Sequence, residues 1–190
     1  SKSAELSVGA SYYLLRSENK ILLSEKESEM KQLSHTKTRN NLLKGHVNFR
    51  FPLNEDIIIN TGIEQNINTL NDQLMPDFHY LESTSAAYFS AIYTANKLQT
   101  NAGMRTEYLH YNQGNADKDQ MVAMPSLHIK YSFSNTSHLK FSYTKKIERP
   151  AVFQLYPNVQ IIDFYASHKG NQNLSPAINN TYNLEYSLAY

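Results

Sequence analysis

The chain contains no cysteine and no tryptophan, and only 6 glycines and 6 prolines in 190 residues. Without cysteine there is no disulfide framework and no thiolate chemistry, so the redox compartment cannot be read from it. So few glycines leave no phosphate-cradling loop. Charge of one sign is missing too: Lys+Arg 18 against Asp+Glu 17 gives a net charge of +1. No overall field therefore draws the chain to a polyanion, and no nucleic-acid partner is expected. Long apolar runs are also absent, none approaching the roughly 18 residues of a membrane-spanning helix. The opening "SKSAELSVG" lacks the apolar core of a signal peptide, so none is expected in this chain. These absences leave one membrane architecture open, because β-barrels cross lipid with alternating strands of about 9–11 residues.

What the chain does have is tyrosine, 14 of them, with 8 phenylalanines. Such residues suit pleated surfaces and lipid–water interfaces, where a ring is buried and a hydroxyl stays wet. They sit in period-two patterns. "AELSVGASYYLLR" places Leu6, Val8, Ala10, Tyr12 and Leu14 opposite Glu5, Ser7, Gly9, Ser11 and Tyr13. "LKGHVNFRF" sets Leu43, Gly45, Val47, Phe49 and Phe51 against Lys44, His46, Asn48 and Arg50. "SLHIKYSF" and "HLKFSYTK" separate Leu127, Ile129, Tyr131, Phe133, Leu139, Phe141 and Tyr143 from His128, Lys130, Ser132, Lys140, Ser142 and Thr144. "YNLEYSLAY" puts Tyr182, Leu184, Tyr186, Leu188 and Tyr190 on one side. "DIIINTGIEQ", "YLESTSAAYFSAIYTA" and "KLQTNAGMRTEYLHY" also read as strands, although the apolar face of the middle one is not evident.

The links alternate in length. Pro52 to Glu55, Ala95-Asn96 and Asn135 to Ser137 read as short hairpin turns. Between them lie polar stretches that read as longer links: "SENKILLSEKESEMKQLSHT", "NTLNDQLMPD", "NQGNADKDQ" and the segment from Arg149-Pro150 to "GNQNLSP". The pattern predicts an all-β, antiparallel up-and-down meander of about eight strands without a central helix. Short turns at one end and long loops at the other suit an outer-membrane barrel, and a soluble meander also produces them. Pro150 cannot donate to a ladder and ends pairing, while Gly170 and Asn171 offer positive-φ geometry and Pro176 resets the chain before the last strand.

Chemistry-bearing constellations are few. The histidines at 35, 46, 79, 110, 128, 138 and 168 show no metal-ligand spacing, so no metal and no cofactor are expected. Arg105 and Glu107, two residues apart on one strand face, read as an ion pair. No Ser-His-Asp arrangement or paired-carboxylate signature stands out, so no catalytic residues are expected. The sequons at Asn135 and Asn179 read as idle.

"YTKKIERP", "LYP" and "GNQNLSP", followed by a tyrosine-ended strand, resemble the pattern Y-x-x-R-I-x-R-P, L-N-P, G-N-P-x-L-x-P-E. That pattern is found in the outer-membrane β-barrel family of TonB-dependent receptors common in Bacteroidota. "FHYLESTSAAY", "NAGMRTEY" and "MPSLHIKYS" are similar to that family's F-x-Y-x-E-x-x-x-A-A-Y, A-G-L-R-x-E and F-P-S-L strands, in the same order. The chain departs at Lys146, Tyr156, Gln172 and Ala177, where the pattern has Arg, Asn, Pro and Glu. The resemblance covers nearly the whole chain and implies that residues 1–190 are a partial barrel domain of the cell outer membrane, with no plug domain.

It also implies partners: outer-membrane lipid, the plug domain and TonB system of the full-length protein, and a nutrient ligand whose identity no motif gives. The implied lumen-facing residues are Lys44, His46, Arg50, Arg105, Glu107, His128, Lys130 and Lys140. The family-motif loop comprises Arg149, Pro150, Pro157, Gly170, Asn171, Leu174 and Pro176, and serves either as structure alone or as ligand contact. The alternative is a self-contained small barrel or sandwich that binds a ligand or protein at the cell envelope. An enzyme on a small barrel stands third. The stripe Leu127, Ile129, Tyr131 and Phe133 separates the first two, since it should meet lipid in one and a packed interior in the other.

Overall fold

The structure is a computed structural model that describes residues 3–24, 31–113, 116–157, 159–163 and 165–189. Eight strands form one antiparallel sheet: β1 (Glu5–Ser24), β2 (Lys31–Pro52), β3 (Ile57–Asp72), β4 (Met75–Ala95), β5 (Leu98–Gln113), β6 (Ala116–Ser132), β7 (Ser137–Glu148) and β10 (Ala177–Leu188). Each pairs with the next, so the sheet is a meander with β1 and β10 at its two edges. Between β7 and β10 lie a four-residue helical turn, α1 (Val152–Leu155), and a two-stranded ribbon of β8 (Gln160–Ile161) and β9 (Ser167–His168). The expectation for Tyr190 lies outside the described residues.

The three short turns share one end of the sheet. Asn54 caps the β2–β3 turn, its side-chain oxygen accepting from the N–H groups of Asp56 (2.9 Å) and Ile57 (2.8 Å). In the β4–β5 turn Asn96 has φ 48°, a left-handed conformation that asparagine tolerates better than most residues. At the β6–β7 turn Phe133 N–H donates to the Ser137 carbonyl at 2.9 Å.

At the opposite end the structure corrects three of the four expected long links, while the one from Arg149 to Pro176 is indeed long. β3 and β4 are joined by Gln73 and Leu74 alone, and β1, β2, β5 and β6 continue through much of what read as polar connections, up to residues 25–30 and 114–115, which lie outside the described residues. The physical reason is that these stretches pair through their backbones while carrying few apolar side chains on either face. A ladder that projects into water needs paired backbone but no apolar face, so the alternation that marks a half-buried strand is lost. β2 has 22 residues, roughly twice the 9–11 that cross a bilayer.

Register fixes the two faces of the sheet. One row across six strands reads Leu6, Phe49, Thr61, Phe89, Met104 and Pro125, and this face carries exposed Val8, Tyr12, Val47 and Ile63 as well. No second layer covers it among the described residues. Tyr131 and Phe133 are exposed there, while Leu127 and Ile129 are half-buried by their neighbours in the sheet. The undecided strand β4 is resolved as well. Leu81, Ser83, Ser85, Ala87, Phe89, Ala91 and Tyr93 share the apolar face, while Tyr80, Glu82, Thr84, Ala86 and Tyr88 lie on the polar one.

Tyr88 lies over Gly62 on that polar face. A methyl on Gly62 would come 2.7 Å from the Tyr88 hydroxyl, which donates to Asn48 Oδ1 at 2.8 Å one strand further on. Glycine here leaves room for a ring to bridge three strands.

The β6–β7 ladder begins at Ser126↔Thr144 and does not extend to Pro125 or the residues before it. Proline has no N–H to offer. Beyond that point β7 continues to Glu148 paired only with β10.

Two outcomes are expected from this facing in the full-length protein in membranes. Ile129→Cys should react with a lipid-soluble maleimide and Lys130→Cys with a water-soluble one; the opposite reactivities would mean that the faces are reversed. Gly62→Val should lower stability by about 1–3 kcal/mol by displacing the Tyr88 ring, measured by urea unfolding in micelles.

Candidate functional site

The polar face gathers its charges where small residues leave space. In one row His46, Glu64, Ala86, Glu107 and Val122 lie side by side; in the next come Asn48, Gly62, Tyr88, Arg105 and Met124. Ala86 has only a methyl, so the Arg105 guanidinium reaches carboxylates on both sides of it. Its Nε lies 2.7 Å from Glu107 and its Nη1 3.1 Å from Glu64. A second guanidinium, from Arg149, donates to the other oxygen of Glu107. The Glu107 side chain is only 8% exposed. Removing a carboxylate from water costs several kcal/mol unless it is paired, and here each oxygen meets a guanidinium.

Arg149 is the residue immediately after β7. Its ion pair therefore turns the chain onto the polar face at the point where Pro150 stops the ladder. α1 then delivers Leu155 and Tyr156 onto Leu70, Phe78 and Tyr80, with Met75 and Val152 packed at the margin. The Phe78 and Tyr156 rings meet edge to face with centroids 5.0 Å apart, and the Tyr156 hydroxyl donates to Asp72. This is the principal buried apolar cluster among the described residues, and it holds a loop against a wall.

The loop also closes on itself. Gly170 N–H donates to the Tyr156 carbonyl at 2.9 Å and Asn171 N–H to the Gln154 carbonyl at 2.6 Å. A methyl on Gly170 would stand 2.5 and 2.6 Å from those same two carbonyl oxygens. The expected positive φ at Gly170 and Asn171 is thus corrected. Neither adopts it, and glycine is needed at 170 for close backbone approach. Leu174, Pro150 and Pro176 border a small cavity at the base of the loop together with Tyr80, Leu109 and Leu155, and Pro157 is half-buried.

All eight expected lumen residues share the polar face, but they do not form one site. Arg105 and Glu107 lie at the foot of the loop. On β2, the His46 ring covers Gly9, where a methyl would come 2.4 Å from Cε1, and Arg50 sits opposite Glu5 in register. His128, Lys130 and Lys140 border a separate hollow of about 330 Å³ nearer the short turns, where Lys140 pairs with Glu185 at 2.9 Å.

Sequence reasoning missed Glu64, Asp72 and the anchoring role of Tyr156. Glu64 carried a signal, standing in the alternating polar set Gly62, Glu64, Asn66 and Asn68. Tyr156 and Asp72 are 84 residues apart and carried none. Nothing in the cluster pairs a nucleophile with a base. Its carboxylates are occupied by guanidinium groups, an arrangement suited to anchoring.

Removing one side of the Arg149–Glu107 pair should loosen the loop by roughly 2–3 kcal/mol, the usual value of a hydrogen bond to a charged group. Arg149→Met and Glu107→Gln should each speed proteolysis between residues 150 and 176. The double substitution should lose less than the sum of the two; simple additivity would show that the pair does not hold the loop.

Comparison with curated proteins gives no match. A family model described as the outer membrane protein beta-barrel family matches residues 1–190. The uncovered apolar face, the antiparallel meander and the polar opposite face are what such a barrel requires, and a loop docked on the polar face is found in some of them. The protein is accordingly one of the cell outer membrane, and the chain belongs to the outer membrane protein beta-barrel family.

Proposed function

We propose that this chain forms part of the wall of a TonB-dependent receptor that imports a scarce nutrient such as a metal chelate, a vitamin or a glycan. The observation that carries this reading is the loop after Arg149-Pro150. It leaves the wall, turns onto the polar face and is fastened there by Glu107, Asp72 and a small apolar cluster. Its anchoring residues coincide with the receptor-type motif: Arg149, Pro150, Gly170, Asn171 and Pro176. A loop fixed across a lumen narrows it and presents side chains to whatever enters. Phe153, Ile162 and Tyr165 are exposed on this loop, with Tyr165 97% exposed.

In this reading the protein moves its ligand without chemical change and needs no cofactor. The remaining polar face, with Lys44, His46, Arg50, His128, Lys130 and Lys140, lines the lumen or meets a plug domain, and the energy is relayed by TonB. The uncovered apolar face favours this over a self-contained sandwich, which would bury it.

The test is uptake by cells that carry the full-length protein, with ferric citrate, cobalamin and a labelled oligosaccharide as probes. Accumulation of one probe should require the protein and should fall to background when the proton-motive force is collapsed. Equal, energy-independent flux of all three would identify a passive pore and overturn the proposal.

A further inference from the structure

Toward the long-hairpin end the apolar face is interrupted by a cationic row. Exposed Leu22 lies beyond that row, and Tyr12 and Leu14 on β1 and Leu43 on β2, all exposed, are the last large members of the face on these two strands before it. Two residues further along, about 7 Å at strand spacing, Arg16 and Arg39 lie directly opposite one another on the same face. Both are exposed, and neither forms an ion pair with a described residue. Like charges directly opposite in an antiparallel pair repel one another.

A carboxylate could relieve them, yet the nearest one on this face is engaged elsewhere. Glu18 pairs with neither arginine: one of its oxygens lies 3.0 Å from His35 and the other 3.7 Å from Lys37. The row continues from Arg39 to Asn71 and His79, whose side chains bond to each other at 2.7 Å. Short turns mark the periplasmic end of such barrels, so this row stands at the outer leaflet.

Further down the same face, six residues or about 20 Å along β2 from Arg39, the face is hollowed: Gly45, Ser85, Ala87, Val47, Tyr108 and Met121 are among the residues that line a trough of about 650 Å³. Paired guanidinium groups match phosphate oxygens bidentately, and a trough of small residues accepts a hydrocarbon chain.

We propose that Arg16 and Arg39 bind the phosphate headgroup of an outer-leaflet lipid, with one of its acyl chains lying in the trough below. The bound phosphate neutralises two charges that otherwise repel, so the lipid helps to hold β1 against β2.

The test uses the full-length protein in detergent micelles, with bis-phosphorylated lipid A, the same lipid stripped of phosphate, and inorganic phosphate as probes, read by native mass spectrometry and thermal unfolding. The phosphorylated lipid should remain bound and raise the melting temperature, and the dephosphorylated one should not. Arg16→Gln with Arg39→Gln should cut retention about tenfold, whereas Lys145→Gln, on the same face of β7, should leave it unchanged. Arg39→Glu gives an independent readout: it should stabilise the lipid-free protein by pairing with Arg16 while abolishing the lipid-induced shift. Equal retention of both lipids, or full displacement by millimolar inorganic phosphate, would overturn the proposal, the first indicating acyl packing alone and the second a soluble-anion site.

Discussion

Lipid offers no hydrogen-bond partner, so every backbone N–H and C=O within it has to be satisfied by a neighbouring strand. The pairing of each of the eight strands with the next, from β1 to β10, is the response to that constraint, with a register shift at Asn71/Asp72 and a β6–β7 ladder that stops at Ser126. Once register is fixed, so is facing, because a slip of one residue would turn Arg105 toward hydrocarbon and Met104 toward water. The turns serve this register: Asn54 and Asn96 each hold a hairpin in which slippage would be costly. The same constraint bears on β1 and β10. Their outer edges need strand partners wherever they lie in the membrane, whether each other or further wall.

Facing in turn decides where burial can occur. The apolar face needs no protein cover in a bilayer, so the sheet has little interior of its own, and its main apolar cluster forms where the loop after β7 meets β3 and β4. There Leu155 and Tyr156 are buried to 4% exposure beside a carboxylate bridged by two guanidinium groups. Apolar burial gives the loop its docking energy, and the ion pairs define where it docks, because an unpaired Glu107 would be costly in any other arrangement.

Alternation made the crossing strands readable from sequence. Leu127, Ile129, Phe141 and their neighbours repeat with period two because one face meets lipid, and Arg149-Pro150 announced the end of a ladder in the same plain way. Where strands project into water this signal vanishes, so the hairpins around 17–36, 68–77 and 112–120 read as links although they are largely ladder. In β4 the signal was blurred from both sides: Ser83 and Ser85 occupy the apolar face, and Tyr80 and Tyr88 the polar one. The ion pair of Arg105 with Glu107 is local and was legible. Its extension to Glu64 and Arg149, over 41 and 42 residues, depends on topology and left no local trace.

Ser83 and Ser85 show how the apolar face tolerates polar groups. Gln65 lies on the neighbouring strand, its amide nitrogen donating to Ser83 Oγ at 2.9 Å and its amide oxygen accepting from Ser85 Oγ at 2.5 Å. Both ends of the amide are satisfied within the face, so little hydrogen-bonding capacity is left to the lipid. Short serines beside Gly45 and Ala87 keep this region low, which is why the trough lies here instead of a ridge of large side chains. Polar self-satisfaction and small volume thus produce one local result: a depression in an otherwise bulky apolar face that remains compatible with hydrocarbon.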